Sequence, residues 1–101
     1  MNSLIQAPLI EQNETLIAEV ETYASLMFSK EEIALILEVD PSELKDFFKD
    51  QDTAAFRAFR RGRLKREAQV RQGIFDLAQN GSSPAQAFAM KLIENAKMDD
   101  V

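Results

Sequence analysis

The sequence predicts an all-α protein of about five helices: an N-terminal helix-turn-helix, then a long basic helix and a C-terminal antiparallel helical hairpin. Three observations lead there. Two capping boxes, Ser29 with Glu32 and Asp40 with Glu43, start helices eleven residues apart, and Pro41 sits at a favoured first helical position. Upstream of them, Leu16, Val20, Tyr23 and Met27 recur at steps of four, three and four. Near the end, Gly81 followed by Ser82-Ser83-Pro84 stops one helix and starts the next within a few residues.

The elements follow in chain order. Residues 1–11 carry Leu4, Ile5, Leu9 and Ile10 around Pro8, which disfavours helix at Ala7. They are expected to form an extended arm that packs on the body or on a neighbouring subunit. Residues 13–28 are expected to form a helix with Ile17 and Ala24 widening its apolar stripe, and with Glu11, Glu14, Glu19 and Glu21 on its solvated side. Residues 29–49 then make the helix-turn-helix, with one helix over 30–37, a turn at 38–40 and a second helix over 41–49. Ile33, Ala34, Leu37, Val39, Leu44, Phe47 and Phe48 fall on the inward faces of that unit. Glu38 stands in the turn where a glycine is usual, because the position tends to need a positive φ. A standard turn there costs about 1 kcal/mol with a non-glycine residue, so a longer or differently shaped turn is the alternative.

Thr53 can cap a long helix that runs to Asn80. Gly62 lies inside it between Arg61 and Arg63, as a break, a hinge or a point of close approach. In its second half Leu64, Ala68, Phe75 and Ala78 mark one face and Val70, Ile74 and Leu77 a second, so this part is expected to be covered on two sides. The last helix, residues 84–97, should face Ala85, Phe88, Ala89, Leu92, Ile93 and Ala96 inward and form a hairpin with its predecessor. The whole is read as a single domain comprising an arm (1–11), a helix-turn-helix part (12–52) and the basic helix with its hairpin (53–101).

Composition narrows the chemistry. With 101 residues, of which 46% are hydrophobic, one domain with a modest core is the expectation. The chain has no Cys and no His, so disulfides, thiolate chemistry, the usual general base and the softest metal ligands are missing. No apolar run approaches the ~20 residues of a membrane span, and the first ten residues lack the basic start and apolar block of a secretory signal. A cytoplasmic location is expected. Asp46, Asp50 and Asp52 lack the glycine and terminal glutamate of a calcium loop. No nucleophile–base pair and no glycine-rich phosphate loop is present, so no enzyme, cofactor or metal is expected.

Charge is unevenly spread. The net of −5 divides into −9 for residues 1–52 (3 Lys+Arg, 12 Asp+Glu), +6 for 53–75 (7 against 1) and −2 for 76–101 (2 against 4). On a helical wheel Arg57, Arg60, Arg61, Lys65 and Arg71 share roughly a 140° arc, while Arg63 and Arg66 point elsewhere. Such a ridge of planar, permanently charged groups suits phosphate contact. The alternative is that the ridge pairs with the acidic first half of the chain. In the second helix of the motif, Ser42, Lys45 and Lys49 are the candidates for reading DNA, beside Glu43 and Asp46, which repel phosphate.

Three features follow one another: Glu32-Ile33-Ala34 with Leu44-Lys45-Asp46-Phe47-Phe48, then Arg61-Gly62-Arg63 with Ala68-Gln69-Val70-Arg71, then Leu77-Ala78-Gln79-Asn80-Gly81 with Ser83-Pro84-Ala85 and Lys91-Leu92. This order resembles the small subunit of tailed-phage terminases, the DNA-packaging recognition protein. The resemblance covers about residues 29–95. It implies DNA binding through the N-terminal helices, ring-like homo-oligomers through the central helical hairpin, and delivery of DNA to a large terminase subunit. The expected function is therefore a non-catalytic DNA-binding protein of phage or prophage type, acting through Ser42, Lys45, Lys49, Arg57, Arg60, Arg61, Lys65 and Arg71. The alternatives are a helical protein–protein assembly module without nucleic acid, or a helix-turn-helix transcription regulator.

Overall fold

Asn13 caps the first described helix by accepting the Thr15 and Leu16 N–H groups on its Oδ1 at 3.0 and 3.1 Å, which satisfies two of the donors that a helix start leaves unpaired. The computed structural model describes residues 13–40, 42 and 53–100. Among them four helices form: α1 (Glu14–Ser25), α2 (Lys30–Leu37), α3 (Ala54–Gln79) and α4 (Ser83–Asp99). The described residues are all-α, as the periodicity predicts. The chain divides into two compact units, and the boundary falls inside α3 between Arg66 and Glu67.

In the first unit, α1 ends at Ser25 rather than at the expected Phe28. The reason is local. Met27 adopts a left-handed φ of 71°, and the Met27 and Phe28 N–H groups turn back to the Ala24 and Tyr23 carbonyls at 2.9 and 3.2 Å. Met27 thereby leaves the apolar stripe it was expected to extend and stands half exposed.

α2 starts on the predicted capping box. Ser29 Oγ accepts the Glu32 N–H at 3.1 Å, and the Ser29 N–H donates to Glu32 Oε1 at 2.8 Å. It ends where Glu38 takes a left-handed φ of 57°, the positive φ expected of this position, and a non-glycine residue bears the strain. Asp40 then accepts the Ser42 N–H on Oδ1 at 2.9 Å, the contact an N-cap makes with the second residue of a helix. Pro41 and residues 43–52, which hold Leu44, Phe47 and Phe48 of the expected second helix, lie outside the described residues, as does the arm over residues 1–11.

Val20, Ala24, Ile33, Ala34, Ala55 and Ala58 form the fully buried centre of this unit. Leu16, Ile17, Tyr23, Phe28, Leu37, Phe56 and Phe59 pack around them. Four of the six central residues are alanines, so the helices approach closely. Gly62 carries this furthest: a Cβ there would overlap the Glu21 carbonyl oxygen and come within 2.9 Å of Ala24 Cβ. Of the three roles open to Gly62, it is a point of close approach, and α3 runs through it unbroken.

The second unit is a hairpin. Gly81, with a φ of 98°, stops α3, and the Gly81 and Ser82 N–H groups close on the Ala78 and Leu77 carbonyls at 3.1 and 3.0 Å. Ser82 caps α4. Phe75, Ala78 and Gln79 face Gln86, Ala89 and Met90 across an open apolar groove of about 410 Å³, an order that makes the helices antiparallel. Ala85 and Ala89 are buried, and Leu92 is half-buried. Phe88, Ile93 and Ala96, expected to face inward, are exposed, and Val70 and Leu77 are more than half exposed. Two helices alone shield one face each, so Val70 and Leu77 of the second apolar face are left exposed, while Ile74 is half-buried.

Candidate nucleic-acid interface

Residues 53–66 hold six cations and no acid. The structure sorts these cations into two sets. Arg57, Arg60, Arg61 and Lys65 are exposed, and Arg63 and Arg66 are half-buried, in line with the separation that the helical wheel makes.

The half-buried pair is tied to the end of α1. Arg66 Nε donates to the Ser25 carbonyl at 2.7 Å, and Arg63 Nη2 donates to the Phe28 carbonyl at 2.9 Å. α1 has no basic residue of its own in its last turn, so Arg66 brings a cation to a carbonyl that the helix end leaves open, while Arg63 reaches the turn that follows. The Arg63 guanidinium also lies 4.6 Å from the centre of the Phe59 ring, with Lys30 Nζ at 5.5 Å from the same ring. Arg63 Nε is buried and has no acceptor among the described residues. Sequence reasoning set these two arginines aside; the signal for their role was their place off the ridge, three residues apart.

The exposed set is only partly turned to solvent-borne ligands. Glu21 of α1 accepts from Arg61 Nε on Oε1 and from Lys65 Nζ on Oε2, each at 2.6 Å. Glu21 was expected on the solvated face of α1; instead its side chain is only 22% exposed and joins the two helices. The bonds from Lys65 and Arg61 hold its carboxyl below the ordinary glutamate value, against a smaller opposing effect of burial. The alternative that pairs the ridge with the acidic first half is thus realised at Glu21.

No known protein family, curated protein or solved structure matches this chain. The geometry has to carry the functional reading alone.

The other candidates are dispersed. Arg71 lies in the second unit and pairs with Glu67 at 3.5 Å, one helical turn away. Ser42 is exposed, and its Oγ donates to Asp40 Oδ1 at 2.8 Å, so its hydroxyl serves the cap. Lys45 and Lys49, with Asp46, Asp50 and Asp52, lie outside the described residues. No helix among the described residues is long and apolar enough to cross a membrane.

Proposed function

We propose that this chain is a non-catalytic DNA-binding protein of phage or prophage type, built like a small terminase subunit. In this reading the helix-turn-helix is completed by a fifth helix over residues 41–49, and the C-terminal hairpin makes the homo-oligomer. The observation that carries the reading is the run of six cations without an acid in residues 53–66, four of them exposed along one helix. It is supported by the left-handed Glu38, which ends α2, and by Asp40, whose Oδ1 accepts the Ser42 N–H as an N-cap would at the spacing of a helix-turn-helix. Lys45 and Lys49 would then meet the duplex beside Arg57, Arg60, Arg61 and Lys65. A large terminase subunit is the protein partner, and the cytoplasm is the place of action.

Phosphate contacts dominate such binding, so it falls steeply with salt. Neutralising about four to six phosphates gives a log–log slope of roughly −4 to −5. The test is a fluorescence-anisotropy titration of a random duplex of about 30 base pairs at salt concentrations from about 50 to 200 mM. The triple variant Arg57→Ala, Arg61→Ala, Lys65→Ala is run beside the wild type. Salt-dependent binding that the triple variant loses supports the reading, and a wild-type slope near zero sinks it.

A second reading, a helical assembly module without nucleic acid, is favoured by one specific observation. Leu77, Phe88 and Met90 of the hairpin are each more than half exposed, at 57%, 59% and 53%, an apolar surface that calls for a partner. Sedimentation of the wild type beside Leu77→Glu, Phe88→Glu separates the readings when combined with the titration. Self-association without duplex binding leaves only the assembly module.

A further inference from the structure

Glu21 sits where a phosphate would sit. An arginine and a lysine one turn apart on α3 converge on its two carboxylate oxygens, one bond to each, both 2.6 Å long. Two oxygens of a phosphodiester can take the same two donors. The carboxylate is carried on a different helix, and it is delivered by the close approach of α1 to α3 at Gly62. Gly62, between Arg61 and the rest of the pair's turn, lets the Glu21 main chain touch α3. No side chain at position 62 holds α1 away, so the acid reaches both cations. These remain 50% and 62% exposed on their outer sides, open to an incoming anion.

We propose that Arg61 and Lys65 form a phosphodiester-binding site that the Glu21 carboxylate occupies in the free protein, and that duplex DNA must displace it. This rests on the DNA-binding reading and adds a regulation to it: the ridge is partly neutralised from within. Binding of the wild type then spends two of its cations on an exchange of one anion for another. Removing the acid makes both available outright.

The test compares Glu21→Gln with the wild type and with Glu14→Gln in the anisotropy titration, again with a random duplex of about 30 base pairs between about 50 and 200 mM salt. Glu14→Gln removes the same charge from an exposed position of the same helix and so controls for net charge. Both proteins end with the same phosphate contacts, so Glu21→Gln is expected to bind up to about fivefold more tightly than the wild type, the worth of a half-exposed ion pair, with an unchanged log–log slope. Glu14→Gln gains less, through net charge alone. A Glu21→Gln variant that binds like Glu14→Gln, with the wild type binding normally, overturns the masking while the DNA-binding reading stands. Absence of binding by all three at low salt overturns both.

A measurement on the wild type guards against a variant that fails to fold. Carbon-13 resonances of the glutamate carboxyl groups are followed as the same duplex is added. Displacement moves the Glu21 carboxyl resonance and leaves that of Glu14 near its starting position. A Glu21 resonance that stays fixed at saturating duplex overturns the proposal.

Discussion

Gly62→Ala and Gly73→Ala are the same substitution in the same helix, and the structure gives them opposite signs. An alanine in a helix interior is favoured over glycine by about 1 kcal/mol. At Gly73 nothing lies within 4 Å of the added Cβ, so the variant collects that gain and is stabilised by roughly 1 kcal/mol. At Gly62 the added methyl overlaps the Glu21 carbonyl oxygen, lies 2.9 Å from Ala24 Cβ and 3.0 Å from the Glu21 carbonyl carbon. Two of these obstacles are main chain, which cannot rotate aside, so α1 itself has to move. Overpacking of this kind costs typically about 1–3 kcal/mol, and a clash with backbone belongs at the upper end. Subtracting the propensity gain leaves a net destabilisation of about 2 kcal/mol. Thermal melts followed by circular dichroism read this directly, since 1 kcal/mol moves the midpoint of a domain this size by about 4–8 °C. Gly62→Ala is expected roughly 10 °C below the wild type and Gly73→Ala a few degrees above it. A Gly62→Ala variant as stable as Gly73→Ala would refute the close helix crossing.

Three further outcomes follow from the same geometry. Glu38→Gly relieves a left-handed non-glycine residue with a φ of 57°. Urea unfolding should show a gain of up to about 1 kcal/mol after the entropy of the extra glycine is subtracted. The folded-state pKa of Glu21 is lowered by Lys65 and Arg61, so its contribution is fully present above the ordinary glutamate value and is lost as the pH falls through the lowered one. Because both cations are at least half exposed, that contribution is about 1 kcal/mol or less. The stability gap between wild type and Glu21→Gln, followed by urea unfolding across a pH series, should close on the acid side and not on the alkaline side. Arg63→Ala loses the bond to the Phe28 carbonyl and the stacking on Phe59 and is expected to cost about 2 kcal/mol. Arg63→Met keeps the apolar stem against the ring and should cost less in the same assay.

The features legible in the sequence are those decided within a few residues. Ser29 with Glu32, Thr53 with Phe56 and Gly81 with its neighbours each act through a bond to backbone one turn away, so residue type and spacing suffice. Val20, Ala24, Ile33 and Ala34 were legible because a helical repeat marks the face that packs. The repeat gives an angle about the helix's own axis and does not say which neighbour lies there. That is why Glu21, placed by the wheel on a solvated face, meets Arg61 and Lys65, 40 and 44 residues away. Gly62 shows the same limit: the sequence left three roles open, and the decision lay in the Glu21 carbonyl, which only the crossing brings near. Phe88 and Ile93 carry an inward period but stand exposed, since amphipathicity calls for a partner without naming one. Met27 fits the stripe by period and leaves it by turn geometry.

The division of the cations changes how mutations on α3 have to be interpreted. Arg66 holds the end of α1 and Arg63 the turn after it, each through a main-chain carbonyl, and Arg61 and Lys65 hold the middle of α1 through Glu21. Four of the six cations in residues 53–66 therefore help to fix α1 against α3. In the proposed DNA-binding role, losing one of them would weaken binding by two separate routes, through the lost charge and through displacement of α1. Salt dependence separates the routes. A lost phosphate contact flattens the log–log slope by about 0.9, whereas a shifted helix that keeps its charges changes affinity at every salt concentration by the same factor. Arg60 is exposed and makes no ion pair among the described residues, so it carries the first route alone. Arg60→Ala should flatten the slope with no change in melting temperature, and it is the substitution against which the effects of the other five have to be calibrated.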